Sequence, residues 1–450
     1  MLHTPSDLPV RCELGTPRIG DDSDVFTALE SDVRSYCRRF PSVFATAKDH
    51  LLTDEDGNAY VDFLSGAGVL NYGHNNDAII ERVLRYMQQR GVIQGLDLHT
   101  TAKREFLATF EAAILAPRHL RYKVQFTGPT GSSAVEAALK LARRLRPRRP
   151  IAAFTNAYHG MSLGALSATG DGPMRRASGL ALHDVVRLPF DGFFGDGINT
   201  LSYIDALLCE PGSGIDAPAA FILETVQAEG GLKAASRSWL RGLAELARRH
   251  DALLIVDEIQ TGCGRTGPFF SFEDAGIEPD IVCVSKSIGG IGFPMALVLM
   301  KETLDAWKPG EHIGTFRGNN LAFIAATAAL DTYWRDAAFE QATRRKGETM
   351  QIRLQQMADR CPDGQARVRG RGMIRGLEWD NVDMAAAVSA AAFKRGLIVE
   401  TCGSREQVLK LLPPLTIGDA ELAAGLDRLD DAIDDVYRLN QPPLTLRQSA

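Results

Sequence analysis

An α/β fold, with one large and mostly parallel sheet beside a smaller α+β unit, is predicted by three features of the sequence. Between about residues 75 and 330, helical patterns alternate with short apolar runs: YKVQFT, IAAFT, AAFILETV, ALLIVDEI, DIVCVS and MALVLM. Such alternation implies parallel strands covered by helices on both faces. After about residue 330 the pattern changes to long helices, GMIRGLEW, an amphipathic helix, GLIVET and a last helix. Finally, the chain has 450 residues with 45% hydrophobic content, enough for two cores.

Taken in order, residues 1–28 are rich in Pro, Gly and Asp and are expected to be a loose leader. The following segment, 29–74, is assigned to the small unit. It contains FATAKDHLLTDEDGNAYVDFLSG, read as two short strands around a DEDGN turn. That turn resembles the start of a calcium loop, but its sixth position is Ala59, where such loops need glycine, so a hairpin is expected. Residues 75–330 form the expected large domain and 331–450 the rest of the small one. No internal repeat is visible.

Composition narrows the function classes. With 24% charged residues and a net charge of −6, the chain reads as neither disordered nor nucleic-acid-binding. The local run Arg143, Arg144, Arg146, Arg148 and Arg149 lies where a helix should end before Pro150, and cations there complement the helix dipole. It is read as a solvated helix end. The start lacks a cationic region followed by an apolar core, so it does not read as a signal peptide. No stretch reaches the roughly 18 apolar residues of a membrane span. The cysteines (Cys12, Cys37, Cys209, Cys263, Cys283, Cys361 and Cys402) are odd in number and scattered, which suggests reduced thiols in the cytoplasm. Neither they nor the histidines show metal-ligand spacing, so no metal is expected.

Ligands of such sheets bind at the carboxyl ends of the strands, and four strand ends carry chemistry. After YKVQFT comes GPTGSSAVEAALKLARR, a glycine-rich turn opening a helix. Ser133 and Glu136 have capping-box spacing, Gly131 permits close backbone approach and Ser132 adds a hydroxyl. A helix start of this kind suits a phosphate, although many such turns hold nothing. ALLIVDEI ends in Asp257, followed by Gln260; an acid there is either a salt-bridged carboxylate or the counter-ion of a protonated ring nitrogen. DIVCVSKSIGG places Lys286 just after the next strand, facing the same crevice. A partly desolvated lysine has a lowered pKa and can form an imine. FTNAYHGMS puts Tyr158 where its face could stack on a flat ring.

One motif is a decoy. GCGRTG (262–267) fits the dinucleotide-binding pattern, but PFFSFEDAG after it does not open a helix. A nicotinamide dehydrogenase is therefore not expected, and no phosphate-loop signature of an ATPase occurs.

Phosphate cradle, aromatic, Asp-x-x-Gln and lysine, in this order, resemble the class III (ornithine/GABA-type) aminotransferases, a branch of PLP fold type I. DEIQTGCGRTG, ETVQAEGG, SKSIGG and GTFRGN look like that family's signatures, and the likeness runs over about residues 30–435. It implies pyridoxal 5'-phosphate carried on Lys286, which would also shuttle the proton of the reaction. Asp257 would pair with the pyridine nitrogen, Gln260 would reach the ring 3'-oxygen, and Tyr158 would stack on the ring. Gly131 and Ser132 would hold the phosphate, with Thr315 supplied by the other subunit of a homodimer or larger assembly. Glu224 would support the ligand network.

ESDVRSYCRRFP, FLSGAGVLNYGHNN, YHGMSLGALSATG and WKPGEHIGTFRGNNLAF look more narrowly like diaminobutyrate–2-oxoglutarate aminotransferases. That likeness implies small amino-acid and oxo-acid substrates and a place in ectoine, siderophore or peptide synthesis. Three departures stand out. Met161 occupies a position where many members carry a carboxylate-binding arginine. Lys410, in LKLLPPLT, replaces an arginine that pairs with a glutamate, here Glu229; both are candidate substrate residues. Ser133 replaces a usual glutamate. The alternatives are another ω-transaminase of ornithine or GABA type, or an inactive PLP-fold binding protein; an intact Lys286 with Asp257 speaks against the second.

Overall fold

The computed structural model describes residues 22–195, 197–362 and 365–439. Its largest sheet has seven strands in the order Tyr122–Phe126, Leu297–Lys301, Ile281–Val284, Leu253–Asp257, Ala220–Leu223, Ile151–Phe154 and Val185–Leu188. All run parallel except Leu297–Lys301, which is antiparallel to both neighbours. Every residue of the Leu253–Asp257 strand is buried. Side chains on a strand alternate between faces. Accordingly, Leu254 and Val256 enter a core with Phe106, Phe269 and Phe323, while Leu253 and Ile255 enter the opposite core with Val135 and Leu141 of the Gly131–Leu145 helix. Continuous apolar runs were legible as strands because both faces of this sheet are covered.

The remaining units join the two ends of the chain. The hairpin Leu51–Asp54 and Ala59–Asp62 forms as expected, and Leu397–Ile398 adds to it in parallel, pairing Leu397 with Val61. The Asp54 carboxylate accepts the Asn58 amide at 2.8 Å and the Asn58 and Tyr60 side chains, so it fastens its own turn. A second, antiparallel sheet runs Ala366–Arg371, Ile374–Trp379, Val408–Leu411 and Glu400–Cys402. Val61 and Phe63 share one core with Leu354, Trp379, Leu409 and Leu426.

Several local readings are corrected. Residues 22–28, the end of the expected loose leader, belong to the helix Asp22–Leu29; residues 1–21, with Cys12, lie outside the described residues. The strands Phe44–Lys48, Val185–Leu188 and Ala366–Arg371 were not anticipated. Thr130, not Ser133, caps the Gly131–Leu145 helix, accepting the Ser133 amide at 3.3 Å. Glu136 instead accepts from Ser162 Oγ and the amides of Gly164 and Ala165, capping the Leu163–Ala168 helix. The arginine run is less solvated than expected: Arg143, Arg144, Arg146 and Arg148 donate to carbonyls of Arg149, Ala306, Asp251 and His250. GCGRTG forms turns whose Arg265 is wholly buried, donating to the carbonyls of Met373 and Pro413. Asp205, Cys209 and His250 gather despite their sequence separation, but His250 Nε2 and Arg249 already occupy the Asp205 carboxylate. Among the described residues, no helix is long and apolar enough to cross a membrane.

Candidate active site

Sheet register brings the site together. Asp257, the last residue of its strand, pairs with Cys283, so Lys286 follows three residues later at the same sheet edge. On the other side Val256 pairs with Leu223, which puts Glu224 beside Asp257. Together with Gly131, Ser132, Tyr158 and Gln260, these residues line a cavity of about 190 Å³. Glu229 lines it too. Nine of the sequence candidates are therefore gathered here or, for Lys410, directly behind the wall. Thr315 is not: it is exposed, on the Thr315–Gly318 turn, away from the cavity of its own chain.

Lys286 has a left-handed backbone, φ 54°, an uncommon state for a residue with a side chain and one that collects at functional sites. Its Nζ donates to the Ala67 carbonyl at 2.9 Å. Burial pushes its amine below the ordinary lysine range, against the opposing charge of Glu229. A neutral amine is the nucleophilic form.

Asp257 is 3% exposed, and its oxygens are separately engaged. Oδ1 accepts the Ile259 amide at 3.0 Å, and Oδ2 lies 2.8 Å from Nδ1 of His159. Burial disfavours the imidazolium of His159, but the hydrogen bond and charge of Asp257 prevail and raise its pKa. Glu224 accepts the amides of Tyr158 at 2.9 Å and Ala228 at 3.2 Å, and burial pushes its carboxyl up to about 7.

The phosphate-type end of the cavity is the start of the 15-residue Gly131–Leu145 helix. Ser132 Oγ accepts the Met161 amide at 3.3 Å, and a Cβ at Gly160 (φ 123°) would collide with that hydroxyl. At Gly131 a Cβ would crowd Ile259. A helix dipole, a hydroxyl and two bare backbone positions form a cradle for a phosphate. Two buried atoms of residues that line the cavity, His159 Nε2 and Gln260 Oε1, have no partner within the protein. A flat, phosphorylated ring with polar edge atoms suits this donor set.

A buried charge trio closes the inner wall. Lys410, fully buried, reaches Glu229 Oε1 at 2.6 Å and Glu400 Oε1 at 3.1 Å. Glu400 is its cross-strand partner and accepts from the Tyr36 hydroxyl at 3.0 Å. Gln260 Nε2 donates to Glu229 at 3.2 Å and to Ala67 at 2.9 Å. Although burial disfavours its charge, the two carboxylates hold the Lys410 ammonium well above its ordinary value. Burial raises Glu400, whereas at Glu229 Lys410 overcomes burial and keeps the carboxyl low.

Sequence reasoning missed His159, Glu400 and Tyr36. His159 stood in the quoted YHG, but nothing in a single sequence aims an imidazole at a carboxylate 98 residues away. Glu400 is next to last in GLIVET, where an acid at a strand end reads as solvated.

Comparison with known proteins agrees with this geometry. The model of the family "Aminotransferase class-III" matches residues 35–433. The diaminobutyrate–2-oxoglutarate transaminase of Bordetella parapertussis is 51% identical over 422 residues, 94% of this chain and 97% of that one. The protein of that name from Nocardia farcinica is 52% identical over 415 residues, covering 92% and 95%. Among solved structures, an ornithine aminotransferase from Toxoplasma gondii superposes with a TM-score of 0.80 at 25% identity, covering 92% and 95%. A Bacillus anthracis aminotransferase, TM-score 0.81 at 23% identity, shares the fold. The chain thus belongs to the class-III aminotransferases, enzymes of PLP fold type I that work with pyridoxal 5'-phosphate and small-molecule substrates.

Proposed function

We propose that this enzyme moves an amino group between glutamate/2-oxoglutarate and aspartate β-semialdehyde/L-2,4-diaminobutyrate. The observation that carries the reading is the convergence of Lys286, Asp257 and the Gly131–Ser132 cradle on one cavity, in a chain about half identical to transaminases named for that pair. An ornithine- or GABA-type specificity is the alternative, and Lys410 in place of the usual arginine disfavours it.

When bound, pyridoxal phosphate supplies an electron sink for the reacting carbon. The residues would divide the work as follows. Gly131 and Ser132 would hold the phosphate, Tyr158 would cover one ring face, and Gln260 would reach the 3'-oxygen. Asp257, oriented by His159 and the Ile259 amide, keeps the ring nitrogen protonated. Lys286 Nζ would carry the cofactor and move the proton, and the burial that lowers its pKa favours the neutral amine. Glu224 fixes the Tyr158 backbone. Glu229 and Lys410 meet the substrate.

Thr315 would complete the phosphate site of a partner subunit in a homodimer or larger assembly. Ile313, Phe316 and Leu98, each more than 60% exposed around that turn, support such an interface. Residues 29–74 and 331–450 would form a small domain around their shared core. The six described cysteines are free thiols, which fits a cytoplasmic enzyme. The test is product identification after incubating the holoenzyme with glutamate and aspartate semialdehyde. Diaminobutyrate and 2-oxoglutarate are expected in equal amounts; ornithine or GABA turnover without diaminobutyrate would transfer the assignment.

A further inference from the structure

A second cavity, of about 490 Å³, adjoins the inner one and shares Tyr158 and Glu229 with it. Its walls are the short helix Tyr36–Arg39, residues 170–174 at the start of the Gly172–Arg176 helix, and the 400–406 segment. Among the described residues lining either cavity, only Lys286, His159 and Arg39 have basic side chains. Lys286 is the reacting amine, and His159 is committed to Asp257. Lys410 lies behind the wall, masked by Glu229 at 2.6 Å and open to a carboxylate only where Glu229 yields it, and Met161, at the position of an arginine in many relatives, offers no charge. Arg39 is left as the guanidinium of this lining.

The substrates named above, on which this inference rests, share a dimension. When glutamate reacts at its α-nitrogen, its γ-carboxylate carbon is the fourth carbon from that nitrogen. When diaminobutyrate reacts at its terminal nitrogen, its carboxylate carbon is also the fourth. One fixed receptor at that distance would serve both half-reactions.

We propose that Arg39 is the receptor for this distal carboxylate, and that Glu406 occupies it until substrate arrives. Arg39 Nη1 donates to Thr401 Oγ1 at 2.7 Å, and Nη2 to both Glu406 oxygens at 2.8 and 2.7 Å. The two partners are unequally held. Both touch Thr401, whose hydroxyl accepts from Arg39 and donates to Glu406 Oε2 at 3.2 Å, but the Glu406 side chain is 59% exposed, on a tight turn at φ 56°, whereas that of Arg39 is 30% exposed. Glu406 can therefore turn out to water at small cost while Arg39 stays. Exchanging one carboxylate for another leaves the guanidinium paired throughout, so no bare charge is created. Arg39 and Glu406 line this second cavity and not the inner one that holds Lys286.

The competing role for Arg39 is a staple joining the Tyr36–Arg39 helix to the 401–406 segment, and the test separates the two. Holoenzymes of Arg39→Met, Arg39→Lys and Glu406→Gln are assayed in single half-reactions by cofactor absorbance, with bound cofactor and melting temperature measured for each. The amine donors are glutamate, diaminobutyrate and 1,3-diaminopropane, the last being diaminobutyrate without its carboxylate. In Arg39→Met the apparent KM for glutamate and diaminobutyrate should rise about 10- to 100-fold, the worth of a charged hydrogen bond. That for 1,3-diaminopropane should not move, and Arg39→Lys should recover part of the loss. In Glu406→Gln both carboxylate-bearing donors should bind more tightly, by about two- to fivefold, because an exposed ion pair no longer competes. A staple predicts the reverse for Glu406→Gln and equal losses for all three donors in Arg39→Met; either result, or unchanged KM values, overturns the proposal. If Arg39→Met does not fold, Arg39→Lys and Glu406→Gln decide by the same criteria. A wild-type enzyme that accepts glutamate but not diaminobutyrate would refute the substrate pair, and the glutamate arm would still decide Arg39.

Discussion

His159 Nδ1 lies 2.8 Å from Oδ2 of Asp257, with both side chains almost completely buried. This contact, together with the Ile259 amide on Oδ1, fixes the plane of the carboxylate before any ring nitrogen meets it. A preorganised anion costs no reorientation during reaction. Asp257→Asn should therefore keep bound cofactor but lose on the order of 100-fold or more in kcat, with KM little changed. Steady-state kinetics and cofactor absorbance check this; a near-normal kcat would remove Asp257 from the role.

The same pair sets a pH dependence. The folded-state pKa of His159 is raised, so its pairing stabilises the protein below the ordinary histidine value and is lost as pH rises through the raised one. In Asp257→Asn the imidazole loses its counter-ion while burial remains. The His159 resonance, followed by NMR, should then titrate at lower pH than in the wild type.

Lys286→Ala should abolish turnover and leave the unfolding free energy of the apoenzyme within about 1 kcal/mol of the wild type's, or raise it, because a left-handed backbone is no easier for alanine but a buried amine is removed. Borohydride reduction of the wild-type holoenzyme, followed by peptide mapping, should find the cofactor on Lys286. A label on another lysine would sink the assignment.

How much of this was legible in the sequence follows the physics of each element. The buried strands could be read because apolar residues on both faces leave an unbroken run, and their carboxyl ends then named Asp257, Lys286 and Tyr158. Val185–Leu188 was missed because it is an edge strand, only partly buried and interrupted by Arg187. Glu136 looked like a cap for its own helix; only the fold shows that it reaches the next one. The trio on Lys410 was half visible: Glu229 came from resemblance, while Glu400 depends on a register that a sequence does not print.

Glu258, next to Asp257 but turned away from the cavity, accepts from Ser271 Oγ at 2.6 Å, and burial pushes its carboxyl up to about 7 from an ordinary 4.5. The folded protein holds this proton more tightly than the unfolded chain, so stability falls as pH rises from about 4.5 to about 7, by on the order of 3 kcal/mol. Glu258→Gln removes the cost of the buried charge. Its melting temperature should decline less than the wild type's between pH 5 and pH 8, with Glu224 and, above the ordinary histidine value, His159 contributing the remaining slope. Parallel curves for the two proteins would contradict the buried-charge account.

Lys410 is the group on which dual specificity turns. Glutamate carries an extra carboxylate on the carbon that reacts, and diaminobutyrate does not. With diaminobutyrate, Glu229 can stay on Lys410 at 2.6 Å; with glutamate, it must yield that ammonium to the incoming carboxylate. Glu400, at 3.1 Å and inaccessible, keeps Lys410 charged in either state. An ammonium meets its partner at one point, where an arginine would grip with a fork, so exchange between the two carboxylates carries little geometric penalty. Lys410→Met should reduce the glutamate half-reaction selectively, by about 10- to 100-fold in kcat/KM, and largely spare that of diaminobutyrate. It also leaves two carboxylates buried without their cation, which by itself costs about 3–5 kcal/mol. Adding Glu400→Gln removes one of those charges and should restore much of the stability without restoring glutamate turnover. That separation is the decisive reading: a lysine that only supports the fold would lose both half-reactions equally in Lys410→Met and regain both when stability returns.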